Sequence, residues 1–175
     1  MPGANVSEVE ILVSGMVQRG TKLDPAHLTK IADAVGRVFS VQSDEVAILS
    51  VTNDGKFLRF RVPEQLQNVG QIPMTSNSSL AVRTVRDKRP EIVNHFNIVP
   101  HASVFEAVRI NEERSDPIQK IMSAPIAVAT KVIGVLQVSR KAKTAKMARD
   151  FSPTDLRQLI VITGLVAPAL PLCED

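Results

Sequence analysis

The spacing of apolar and polar positions changes period several times along the chain, and each change marks an element. Val6, Val9, Val13, Met16 and Val17 recur at helical spacing, with Ile11 and Leu12 forming a second apolar side. That predicts an N-terminal helix within residues 1–22 with more than one face to bury. In "LDPAHLTKIADAVGRVFSV" Asp24 is placed to cap a second helix and Pro25 suits its first position, with Leu28, Ile31, Val35 and Val38 as the core stripe. The period then shortens to two. Apolar runs flank Asn53-Asp54-Gly55 in "DEVAILSVTNDGKFLRFRVP", a strong hairpin signal. The first strand is apolar on both faces and reads as central, whereas Arg59 and Arg61 alternate with Leu58, Phe60 and Val62 in the second, which reads as nearer an edge.

Residues Glu64 to Met74 show no clear period and read as a linker. "TSNSSLAVRTVRDKRP" predicts a middle helix with Leu80, Ala81 and Val85 on one side, Ser or Asn at its start and Pro90 after its end. "EIVNHF" is a short strand, and Asn97 to Pro117 reads as irregular. "KIMSAPIAVATKVIGVLQVSRK" is a second hairpin whose latter strand is apolar on both faces. Gly134 inside it implies close approach of another backbone or side chain, and Pro125 a bulge or break in its ladder. A last helix begins at Ser152-Pro153, carries Asp155 in its first turn, is apolar almost all round from Leu159 to Val166, and ends before Pro168 and Pro171. The order predicts an α+β fold: a central antiparallel β-sheet, terminal helices on one face, the middle helix and loops on the other.

At 175 residues, 44% hydrophobic and 22% charged, the chain has the size and make-up of one globular domain. With no Trp or Tyr and six Phe, few side chains are available to stack a purine or a haem. A net charge of +3 with dispersed basic residues gives no argument for nucleic acid. No apolar stretch of roughly 18 residues runs without a charge or breaker, so no membrane partner and a cytoplasmic location are expected. The lone Cys173 has no intrachain partner for a disulfide and agrees with a reducing compartment.

"SAPIAVATKVIGVLQVSRK" followed by "FSPTDLRQLIVITGLVAPAL" resembles the C-terminal signature of the GAF family: a paired strand with a Pro, a V-I-G-V-L strand, a basic loop and a Phe-Ser-x-x-Asp-Leu helix start. "VFSVQSDEVAILSVTNDGKFLRF" is similar to the family's first helix and hairpin, and "SLAVRTVRDKRPEIV" to its helix followed by an Arg-Pro strand. The likeness spans residues 24–170. It implies a ligand pocket opposite the terminal helices, roofed by the middle helix and the irregular segments, with the residues around Met122 to Pro125, Met122 and Ala124 among them, touching ligand. It further implies a homodimer through the terminal helices. Because Pro168 and Pro171 stop the last helix, the domain is expected either to act on a separate output protein or to be a piece of a longer chain.

The chemistry the family offers divides on residues. Its methionine sulfoxide reductases need pocket cysteines, and Cys173 stands in a tail beyond the last helix. Bilin binding likewise needs a Cys, and the phytochrome Asp-Ile-Pro motif is Gln71-Ile72-Pro73 here. The cyclic-nucleotide set of Asn, Lys, Phe, Asp and Glu has no match. Haem would need an imidazole: His95 and His101 fall in the roofing segment but read more simply as surface or satisfied histidines, and their spacing does not make a metal site. His27 reads as exposed. The hydroxyls and backbone N–H groups of Ser76, Asn77, Ser78 and Ser79 would suit a small anion, against the simpler reading of an N-cap. The basic run Arg140 to Arg149 reads as a solvated loop, and Glu112 and Glu113 as solvated charge. The expectation is a non-catalytic, small-molecule-sensing or regulatory domain with no cofactor specified. The alternative is a filled pocket used only for dimerisation or protein interaction, which a site lined by Phe96, Phe105 and Met122 but packed with side chains would favour.

Overall fold

The computed structural model describes residues 6–67, 70–96 and 116–173. Helix α1 spans Val6–Arg19 and α2 Pro25–Phe39; strands β1 (Val46–Val51), β2 (Phe57–Val62) and β3 (Gln71–Pro73) follow, then α3 (Leu80–Asp87), β4 (Glu91–Val93), β5 (Ile118–Val128), β6 (Lys131–Lys141) and α4 (Pro153–Val166). The six strands form one sheet in the order β3-β2-β1-β6-β5-β4, every neighbouring pair antiparallel. β1 and β6 are central, as their two apolar faces require. β2 is not at the edge, because β3, which lies in the stretch expected to be a linker, pairs with it through Leu58 and Ile72.

The helix ends form for local reasons. The Asp24 carboxylate accepts from the His27 N–H at 3.0 Å, and His27 Nδ1 accepts from the Asp24 N–H at 3.2 Å. His27 is therefore a half-buried capping residue rather than an exposed one. Ser152 and Asp155 close the same kind of reciprocal cap on α4.

The sheet separates two apolar clusters. On one face α1, α2 and α4 cover Val46, Ile48, Val62, Met122, Ala124, Ile126, Leu136 and Val138, with Leu28, Ile31, Val35, Leu159 and Ile162 packed onto them. On the other, α3 covers Ala47, Leu49, Leu58, Phe60, Ile121 and Val135, joined by Leu66, Ile72 and Phe96. Adjacent residues of each strand thus belong to different cores, as the two-residue period of a strand demands.

Gly134 shows why that strand holds a glycine. A Cβ there would overlap the Leu49 carbonyl oxygen and come within 2.5 Å of Leu170 Cδ2, so the missing side chain lets the segment after α4 press onto the sheet. Leu170–Leu172 form a single 3₁₀ turn, and the Leu23 N–H donates to the Leu172 carbonyl at 2.8 Å, tying the two chain ends together. The ladder irregularity expected at Pro125 lies just beyond it, between Ile126 and Ala127.

Candidate functional site

The α3 face is mainly apolar, and one line across the middle of the sheet is polar. Ala47 pairs with Gln137, Gln137 with Ser123, and Ser123 with Glu91, so one row of β1, β6, β5 and β4 carries three polar side chains. Ser123 and Gln137 are almost wholly buried, at 0% and 1% exposure. α3 is fastened to this row twice. Arg83 forms a two-pronged pair with Glu91, at 2.9 and 3.0 Å, and Thr84 meets the Ser123 hydroxyl at 2.7 Å.

Proton counting gives the row a direction. The Thr84 hydroxyl donates to the Leu80 carbonyl at 2.9 Å, so toward Ser123 it accepts. Ser123 therefore spends its one proton on Thr84 and accepts from Gln137 Nε2 at 3.2 Å. This chain of donors fixes the Gln137 amide with nitrogen toward Ser123, and leaves Oε1 buried with no hydrogen-bond partner. Such an acceptor costs about 1–3 kcal/mol unless something donates to it. The row is what the sequence analysis missed, although a Ser and a Gln inside two otherwise apolar strands are a legible signal.

The other expected site residues are dispersed. Met122 and Ala124 point into the core beneath the terminal helices, not onto the α3 face. The expectation that they share a pocket with Phe96 is corrected, because it is Ile121 and Ser123, one residue out of step, that face α3. Phe96 is 1% exposed in the α3-side core, and His95 is exposed. His101 and Phe105 lie outside the described residues. At the start of α3, Ser76 Oγ accepts from the N–H groups of Ser78 and Ser79, and Ser79 Oγ accepts from Val82 N–H. The hydroxyls serve as caps, while Asn77 and Ser78 are exposed. Among the described residues no group of three or more His, Cys, Asp or Glu would hold a metal ion, and no helix is long and apolar enough to cross a membrane.

The basic run is not wholly solvated. Arg140 is 9% exposed, lies over the Phe151 ring with its guanidinium carbon 4.1 Å from the centroid, and donates to the Phe39, Arg149 and Asp150 carbonyls. Burial lowers its pKa from the usual arginine value, and the nearby Arg149 charge acts in the same direction. Lys143 and Lys146 are exposed. At the adjoining sheet end, Glu45 accepts from the N–H groups of Gln42 and Lys141 at 2.8 and 2.7 Å. Burial nevertheless holds its carboxyl above the ordinary 4.5.

Comparison with known proteins agrees with this arrangement. No curated protein matches the chain. Among solved structures, the GAF domain of an Acinetobacter phosphoenolpyruvate-protein phosphotransferase superposes with a TM-score of 0.69 at 12% identity, covering 98% of this chain and 95% of that one. The GAF domain of a phosphoenolpyruvate-protein phosphotransferase from Coxiella burnetii gives 0.66 at 9% identity, over 95% and 93%. A free methionine-R-sulfoxide reductase from Neisseria meningitidis, in complex with its substrate, gives 0.67 at 13% identity, over 96% and 87%. At these identities the likeness is one of fold. The GAF domain family model matches residues 26–170, most of the sequence. With that match over residues 26–170, from α2 through α4, the chain belongs to the GAF domain family.

Proposed function

We propose that the protein is a non-catalytic, small-molecule-sensing regulatory domain whose ligand binds on the α3 face. GAF domains are commonly regulatory or sensory modules in signalling, and the observation that carries the reading here is the buried Gln137 carbonyl oxygen without a donor. The oxygen asks for an N–H or O–H group, so the ligand is a polar molecule that offers one, held beside Phe96 and beneath α3. Binding would be read out through α3, since Thr84 and Arg83 join that helix to the same row. Catalysis of the sulfoxide-reductase type is disfavoured because the chain's one cysteine packs against the core on the opposite face. Native mass spectrometry of the untagged protein, compared with its denatured mass, tests the reading: a bound mass lost on denaturation is expected.

A second reading, a filled face serving only dimerisation or protein interaction, is favoured by the complete burial of Phe60 and Phe96 in the α3-side core. Both readings include a homodimer. Of the five large apolar side chains exposed among the described residues, Ile11, Ile160 and Val161 lie on α1 and α4, which pack on each other. A monomeric mass in light scattering at micromolar concentration would remove the dimer from both.

A further inference from the structure

The loop that joins β6 to α4 sorts its residues by side. From Arg140 to Arg149 the chain carries five cations and no acidic residue. Arg140 and Lys141 turn inward: the Arg140 guanidinium donates to three backbone carbonyls, and Lys141 Nζ donates to the Asp44 carbonyl at 3.1 Å. Ala142 and Ala148 are buried. Lys143, Lys146 and Arg149, three residues apart, are exposed, and their side chains make no ion pair or hydrogen bond with a described residue. Met147 stands among them in the 3₁₀ turn Ala145–Met147, 67% exposed.

The backbone that presents these side chains is fastened at both ends. At the entry, the Ala142 N–H donates to the Pro117 carbonyl at 3.1 Å, and the Ala142 carbonyl accepts from Gln119 Nε2 at 2.9 Å. At the exit, Arg140 holds the Arg149 and Asp150 carbonyls, and Lys120 Nζ donates to the Asp150 carboxylate at 2.6 Å. Lys120 and Arg140 pair across β5 and β6, and like charges set directly opposite cost stability on their own. Both are spent on holding the loop exit. The acidic side chains next along the chain are engaged within the fold, Asp150 by Lys120 and Asp155 by the Ser152 N–H.

We infer that this loop is a docking surface for an acidic segment of another protein, one that carries an apolar side chain beside its carboxylates. Three exposed cations at fixed positions attract such a segment, and Met147 offers an adaptable apolar contact. Because the loop is ordered before the partner arrives, docking loses little further backbone freedom. A nucleic acid fits the same charge less well, since no aromatic residue stands between Arg140 and Arg149 to stack a base. An anionic membrane also fits less well, since lipid-binding clusters hold about four to eight Lys or Arg.

Fluorescence anisotropy of the full chain with a labelled peptide repeating Glu-Glu-Leu tests the surface. A Gln-Gln-Leu peptide, a single-stranded oligonucleotide and vesicles of phosphatidylserine and phosphatidylcholine are the other probes. Saturable binding of the acidic peptide is expected, weakening as sodium chloride is raised, with none to the neutral peptide. Lys143→Gln, Lys146→Gln and Arg149→Gln combined are expected to weaken it by about tenfold or more. Arg19→Gln, Lys30→Gln and Lys56→Gln combined, which remove three exposed cations elsewhere and give the same net charge, are expected to leave it within about twofold. Met147→Ser is expected to weaken the Glu-Glu-Leu peptide by about threefold and to leave a Glu-Glu-Ser peptide unchanged. Every replaced side chain is exposed, so folding is not at stake. No saturable binding, an equal loss in the two triple variants, or tighter binding to the oligonucleotide or the vesicles overturns the proposal.

Discussion

The two faces of the sheet are built from the same strands but to different standards. Under α1, α2 and α4 every inward residue of β5 from Met122 to Ile126 is apolar and fully buried, and the polar pairs on that side, Lys120 with Arg140 and Arg61 with Ser50, stand at its ends. Under α3 the intervening positions bring Ser123 and Gln137 into the middle of an apolar surface and leave one acceptor unanswered. A face that only had to be stable would gain by replacing that row with leucine. The difference teaches which side is structural and which is shaped for something else.

The comparison breaks first at Gly134, which serves the structural face. Gly134→Val places a side chain on the Leu49 carbonyl and on Leu170, and is expected to cost about 3–5 kcal/mol or prevent folding, measured by urea denaturation. Met122→Ala, which opens a cavity under the terminal helices, is expected to cost about 3 kcal/mol. Gln137→Leu on the other face should change stability by less than about 1 kcal/mol, because it removes one hydrogen bond together with a buried unpartnered acceptor. Equal losses from Met122→Ala and Gln137→Leu would erase the distinction between the faces.

A smaller effect sharpens the account at the sheet end. The carboxyl of Glu45 is raised in the folded protein, chiefly by burial. The fold therefore favours its protonated form, and that contribution is full below pH 4.5 and lost as pH rises through the folded pKa. Glu45→Gln should remove this loss, so the variant gains on the wild type as pH rises from about 4.5; urea midpoints across that range measure the difference. Smallest of all is Ala129, left-handed at φ 54° in the tight turn between Val128 and Lys131. Ala129→Gly should raise the melting temperature slightly, by about 0.5 kcal/mol of stability.

Much of this fold was legible because periodicity is a strong signal wherever a long element buries one side. Both hairpins, the central places of β1 and β6, the caps at Asp24 and Ser152 and the crowding at Gly134 follow from residue spacing. β3 was not legible, since a strand of three residues is too short to show a period. The site was read less well, for reasons of register. Met122 and Ala124 are one residue out of step with Ser123, and a single step along a strand changes the face. Val62 was grouped with Leu58 and Phe60 by alternation, and the bulge at Arg61 that moves it to the terminal-helix core leaves no mark in composition.

The central claim, that the α3 face takes ligand through Gln137, is tested most directly by native mass spectrometry of three proteins side by side: wild type, Gln137→Leu and Met122→Ala. The account predicts a bound mass on the wild type that Met122→Ala keeps and Gln137→Leu loses. A mass retained equally by Gln137→Leu, or lost only in Met122→Ala, would contradict it.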